Sequence, residues 1–395
     1  MFGLVILFSM GLALAYALVV WMTVRRLRRP PRRTAAWAVS RGLPANPGEM
    51  NPAREFESFA LRLDERTRDE SPAWSIAGDA RGATGGTKEA GRASDSLAPI
   101  IIVTPGWGDS RVTMLGRVNE LAKLASRVIV WDPPGHGEAP GLCALGTREP
   151  EMITRLVEWA CDNYGAREHL DSSHAQRGAP PLRNSPAEDE NSAQASLVTG
   201  ETGHAPPIVL FGFSLGAGAS IVAAASDRAT GFRGSERMPG SPRGASQTVS
   251  RIPQAAPRIA AVIAEAPYRF PWTPARNVLR AIGLPHRVVL RAVFAVLGMR
   301  LGVGVTWGRA HGGVGFDRAK HAAGLRMPLL ILHGEADEVC PVADSEAIVK
   351  AATHANGTNT TLARIAGGTH LVLWSPPSDG LLISIADFIR GASRR

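Results

Sequence analysis

Two glycines flank Ser214 in the run Gly212-Phe213-Ser214-Leu215-Gly216, the spacing a serine needs if its hydroxyl is to be thrust out at a carbonyl carbon. A tight strand-to-helix turn leaves no room for side chains beside that hydroxyl, and the helix that follows aims its N–H groups and positive dipole end toward it. The apolar run Ile208-Val209-Leu210-Phe211 supplies the strand, and residues 215–225 supply the helix. A serine nucleophile needs a base to take its proton, and the base needs a carboxylate to orient it. Both are offered on loops at the ends of predicted strands. Residues 329–332 run into His333-Gly334-Glu335-Ala336-Asp337, and residues 360–365 run toward Gly367-Gly368-Thr369-His370. Asp337 as orienter and His370 as base follow Ser214 in the chain order that this kind of turn uses. Glu335, Glu338 and Glu265 are rival acids, and His136 and His333 are rival bases. His333 stands too close before the acid loop to share it and reads as a hydrogen-bonding residue at a strand end.

Acyl transfer also needs donors for the developing oxyanion, commonly two backbone amides, one of them on the residue after the nucleophile. Leu215 supplies that one. The loop Thr104-Pro105-Gly106-Trp107-Gly108-Asp109 follows the first long strand, where Gly106 lets the backbone turn sharply and the Trp107 N–H is the second candidate. Chemistry of this kind requires no metal and no organic cofactor. The three cysteines, Cys143, Cys161 and Cys340, have neither the number nor the spacing of a disulfide framework or a zinc site.

These side chains can meet only if a sheet carries them. β-Branched runs recur at residues 100–103, 128–131, 208–211, 259–263 and 329–332, with a more polar one at 360–365 and two short strands at 55–63 and 73–76. Helical patterns lie at 112–124, 149–163, 215–225, 345–354 and 381–389. Strand and helix in alternation, with strands apolar on both faces, imply an α/β fold: a mostly parallel sheet flanked by helices. Residues 78–96, 167–206 and 227–257 are rich in Gly, Ser, Pro and charge and read as surface insertions. Residues 268–326, with an apolar helix at 288–301, read as a cap.

The first 24 residues carry no charge and, as a helix, reach about 36 Å, enough to cross hydrocarbon. They read as a retained transmembrane anchor, since a cleaved signal peptide has its basic residues before a shorter apolar run. Arginines 25, 26, 28, 29, 32 and 33 follow, in a basic juxtamembrane linker taken as 25–48, with the catalytic domain at 49–395. Such a block marks the cytoplasmic side, so the domain is expected there, single-pass, with the amino terminus outside. That block also holds six of the nine net positive charges, which removes nucleic acid as a partner and leaves a small acyl substrate and the membrane.

Four segments taken together resemble the α/β-hydrolase superfamily, in its serine-aminopeptidase-like branch of esterases and monoacylglycerol lipases. They are Pro105-Gly106-Trp107-Gly108, Asp132-Pro133-Pro134-Gly135-His136-Gly137, the Ser214 turn, and the Asp337 and His370 loops. The family usually has His at Pro105 and Arg at Pro134, departures that touch substrate preference more than catalysis. The resemblance implies hydrolysis of a carboxylic ester or related acyl bond through an acyl-Ser214 intermediate. Amide or peptide hydrolysis and acyl transfer use the same residues, and a non-catalytic membrane-tethered binding protein is the reading from a different class.

Overall fold

In a computed structural model describing residues 1–64, 67–80, 98–164, 206–227, 258–301, 315–356, 359–370 and 379–393, the apolar runs become one eight-stranded sheet. Its strands are β1 (Phe56–Leu61), β2 (Ser71–Ala77), β3 (Ile100–Thr104), β4 (Arg127–Trp131), β5 (Ile208–Phe213), β6 (Ile259–Glu265), β7 (Leu329–Gly334) and β8 (Thr360–Ile365). They lie in the order β1-β2-β4-β3-β5-β6-β7-β8. The pairings from β4 through β8 are parallel, while β2 joins both β1 and β4 antiparallel. The fold is therefore the mostly parallel α/β sheet expected.

Strand alternation splits the core in two. Ile101, Val103, Val128 and Val130 face a cluster covered by α3 (Leu115–Ala122) and α10 (Asp379–Ser393), with α2 (Ala35–Val39) at its margin. Ile100, Ile102, Ile129 and Trp131 face the other, built with α4 (Glu149–Tyr164), α5 (Leu215–Ser226) and α9 (Val342–Asn356). With both faces covered, the central strands are apolar throughout, the fully buried side chains of β3 being the clearest case, while the edge strands β1 and β8 are partly exposed and more polar.

Element ends depart from expectation for local reasons. The helix expected at 112–124 shrinks to α3, because the Thr113 hydroxyl accepts from the Ser110 N–H at 2.9 Å and donates to the Ser110 carbonyl at 3.0 Å, a turn that competes with helix. The apolar helix expected over residues 1–24 continues further as α1 (Phe2–Arg28) and stops just before Pro30-Pro31. Residues 268–326, expected to form a cap, hold the anticipated apolar helix as α7 (His286–Leu301), with two helices the pattern did not reveal, α6 (Trp272–Ala281) and the short α8 (Arg318–Ala322). In α6, Pro274 sits in the first turn, where a missing N–H does no harm. Residues 302–314 of the cap, 167–205 and 228–257 of two insertions, and most of the third lie outside the described residues; its start is held by the bidentate Arg54–Asp79 pair at 2.9 and 3.0 Å.

The end of α1 and the segment after it run against the loops that follow β3 and β4. The Trp107 indole donates to the Leu27 carbonyl at 2.8 Å, the Cys143 N–H donates to the Arg28 carbonyl at 3.0 Å, Arg32 donates to the Ala139 carbonyl at 2.9 Å, and Arg33 pairs with Asp109.

Candidate active site

Because β3, β5, β7 and β8 run parallel, their carboxyl ends deliver the four predicted loops to one edge of the sheet. Ser214 follows β5 directly and precedes α5, with φ at 51°, a left-handed conformation that a non-glycine residue adopts only under constraint. Its N–H donates to the Glu265 carbonyl at the end of β6, 2.8 Å away. The flanking glycines are obligatory here. A Cβ on Gly212 would stand 2.4 Å from the Gly216 oxygen, and one on Gly216 would stand 2.2 Å from the Thr104 oxygen.

Ser214 Oγ and His370 Nε2 are 3.1 Å apart, and His370 Nδ1 lies 2.7 Å from Asp337 Oδ2. The other carboxylate oxygen of Asp337 accepts N–H bonds from Val339 and Cys340, each at 2.8 Å. Burial opposes the charge on Asp337, but hydrogen bonds from His333 and His370, the field of His370 and the Cys340 amide outweigh it and hold the carboxyl well below its usual range. The structure thus brings together the three side chains singled out from sequence. Leu215 and Trp107 line the same cavity as Ser214 and His370, and among the described residues neither backbone N–H has a recorded acceptor. A Cβ on Gly106 would meet the Phe213 ring at 2.8 Å, so the loop carrying Trp107 packs directly on the residue before the serine.

The rival acids and bases go elsewhere. Glu265 is fully buried and receives both ends of the Arg117 guanidinium at 2.7 and 2.6 Å, under the Phe213 ring. Glu335 and Glu338 face solvent. His333 corrects its reading: it does touch the acid. Its Nδ1 accepts from the Ser345 hydroxyl at 2.6 Å, leaving Nε2–H to donate to the Cys340 carbonyl at 2.9 Å and to lean on Asp337 Oδ2 at 3.4 Å. The ring reaches forward over the turn at Glu335 and Ala336, so closeness in sequence is what lets it brace the carboxylate.

Cys340 also gains a place that its spacing did not signal. Its Sγ lies within 4.8 Å of a carboxylate oxygen of Asp337 and a ring nitrogen of His370. A metal there would need the thiolate, whereas burial and the charge of Asp337 push the thiol far above its usual range. Asp337 and His370 are moreover already bonded to each other.

His136 is fully buried on the loop after β4, donating from Nδ1 to the Pro134 carbonyl at 3.1 Å, and burial lowers its pKa to about 4. Asp132, on the same loop, is buried and pushed up to about 6. A histidine with a folded pKa below its unfolded 6.5 contributes stability that is present above pH 6.5 and drains as the pH falls toward 4. Asp132 works in the opposite sense over nearly the same window, so the whole chain masks both. The difference between His136→Gln and wild type isolates the first. The variant's stability deficit is expected to shrink by about 3 kcal/mol between pH 6.5 and 4, measured by denaturant unfolding at each pH. A deficit constant with pH would mean that His136 is not a buried neutral imidazole.

A serine on a strained turn between a parallel strand and a helix, facing an acid and a histidine delivered by later strands, defines the α/β-hydrolase class. The serine aminopeptidase S33 family matches residues 172–376, and the chain belongs to that family as a hydrolase of the α/β-hydrolase superfamily. Among solved structures, the Pyrococcus furiosus esterase Pf2001 is similar in fold at 15% identity and a TM-score of 0.54, over 93% of this chain and 98% of that one. A second crystal form of the same esterase gives 14% identity, a TM-score of 0.53, and 93% and 97% coverage. The α/β hydrolase GrgF from Penicillium sp. sh18 is 16% identical over 87% of this chain and 99% of its own, at a TM-score of 0.47. No curated protein matches the chain.

Proposed function

We propose that the protein is a membrane-anchored serine hydrolase that cleaves a carboxylic ester or related acyl bond through an acyl-Ser214 intermediate. The observation that carries this reading is the continuous relay from Ser214 Oγ to His370 at 3.1 Å and on to Asp337 at 2.7 Å, opening into an apolar cavity. In this mechanism His370 takes the serine proton as Oγ attacks the carbonyl carbon, then returns it to the leaving oxygen; a water repeats the cycle to release the acid. The Trp107 and Leu215 amides receive the oxyanion, and Asp337 keeps His370 in the tautomer with its free lone pair toward Ser214. Neither metal nor organic cofactor enters these steps. The family's description as an aminopeptidase supports a second reading, amide or peptide cleavage by the same residues, and acyl transfer to another acceptor differs only in what replaces water. Product analysis on matched ester, amide and alcohol-acceptor panels separates the three. A folded wild type that never reacts with an alkyl fluorophosphonate would leave a tethered binding protein.

The anchor belongs to the same proposal. α1 is long and apolar enough to span a membrane, and among the described residues it is the one such helix. It carries Arg25, Arg26 and Arg28 in its last turn, and a basic flank of this kind stays on the cytoplasmic side. The hydrolase domain, taken as residues 49–395, is therefore assigned to the cytoplasmic face. External protease added to intact cells or spheroplasts is expected to leave it whole, and rapid digestion would reverse the assignment.

A further inference from the structure

The last turns of α1 are built into the hydrolase. Val20, Val24 and Leu27, spaced as one helical stripe, are buried against Leu279 of α6 and Val289, Leu290, Val293 and Leu297 of α7. Residues earlier on the helix, from Met1 to Leu18, expose most of their large apolar side chains. A helix leaves its final carbonyls without internal partners, and here two of them are taken by the domain. One donor is the Trp107 indole, 2.8 Å from the Leu27 oxygen; the other is the Cys143 N–H, 3.0 Å from the Arg28 oxygen. Trp107 lines the cavity beside Ser214, so the helix end is bonded to the loop that, in the reading above, receives the oxyanion.

The Leu27 side chain completes the connection. Leu27 is only 4% exposed and lines the cavity at Ser214 and His370 together with Leu145, Tyr268, Val278 and Phe294. That cavity is about 130 Å³, well under the roughly 300–1,000 Å³ of ordinary ligand pockets. A cavity of that size takes a short acyl group.

Resting on the acyl-serine reading above, we propose that Leu27 is the wall that sets acyl-chain length in the Ser214 pocket, so that one helix is both membrane anchor and part of the substrate site. Shortening the side chain lengthens the acyl group accepted, and enlarging it confines the pocket to the smallest acyl groups. Removal of α1 takes away the wall and the acceptor that holds Trp107.

The test uses the full chain in detergent micelles and two probes, an ethyl and a dodecyl fluorophosphonate, with the rate of covalent labelling measured for each. A methylene more or less in an apolar pocket changes discrimination by about 10-fold or more. Leu27→Ala is expected to raise the dodecyl-to-ethyl rate ratio by at least that factor, and Leu27→Trp to lower it as much. Leu27→Val removes less of the wall and reads the same direction if the alanine variant does not fold, thermal melting deciding which variant is used. Val293→Ala loosens the seam between α1 and α7 at a buried residue that does not line the cavity, and is expected to leave the ratio unchanged. Equal changes with both probes in the Leu27 variants would overturn the proposal, as would a shift in Val293→Ala matching that in Leu27→Ala. A wild type that reacts with neither probe overturns the acyl-serine reading, and this one falls with it.

Discussion

Ser214→Ala is expected to lower kcat by a factor of about 10⁵–10⁶ on every ester the wild type turns over, and to abolish fluorophosphonate labelling, with the melting temperature nearly unchanged. The fold survives because what holds the turn is main chain. The Ser214 N–H to the Glu265 carbonyl, at 2.8 Å, does not involve the hydroxyl, and the two glycines keep their close approach. Alanine occupies a φ of 51° at much the same strain as serine. Only the nucleophile is lost. The remaining rate over water comes from the Trp107 and Leu215 amides and from binding. Activity within tenfold of wild type in the alanine variant would mean that another group attacks the substrate.

Asp337→Asn is expected to lower kcat by about 10⁴-fold while leaving substrate binding largely intact. Its geometry dictates the failure. Oδ1 accepts from both the Val339 and Cys340 amides, so an asparagine keeps its oxygen there and turns its NH₂ toward His370 Nδ1. His370 must then accept at Nδ1 and carry its proton on Nε2, facing Ser214, where it cannot serve as base. Since the native carboxyl is held well below its usual range, the wild type keeps this charge through mildly acid pH, and its acid limb of activity does not arise from Asp337. Glu335→Gln and Glu338→Gln, both at solvent-facing positions, are the matched controls and leave kcat unchanged. A loss in either comparable to that in Asp337→Asn would move the orienting role to another acid.

Ser214 and Asp337 were legible because each follows an apolar strand of unmistakable length, His370 because it follows the more polar run at 360–365, and all three because a parallel sheet forces the ends of β5, β7 and β8 to one edge. Gly212 and Gly216 were legible for the same reason: the turn they permit has no alternative residue. Other features left no such trace. The contact of His333 with the acid depends on the ring reaching over a turn, which chain separation alone misrepresents. Cys340 looks like filler until the loop that carries it folds back on Ser214. Helix α6 hides its apolar stripe among Pro274, Arg276 and Arg280, and its burial is decided by α1 and α7. Least visible was the place of Leu27 in the lining of the cavity, since hydropathy characterises an apolar helix by its average and says nothing of a single residue that borders a cavity.

The sheet's polarity has one more consequence. The segments 81–97, 165–205 and 228–257 rejoin the sheet just before β3, β5 and β6, the amino-terminal ends of those strands, whereas the relay occupies the carboxyl-terminal ends of β5, β7 and β8. The described chain on the strand side of each segment therefore enters at the pole of the sheet opposite the relay. For an experimenter the amino-terminal ends of β3, β5 and β6 are splice points, where an affinity tag, a reporter or a shortened connection joins the sheet a strand's length from the pole that holds the serine.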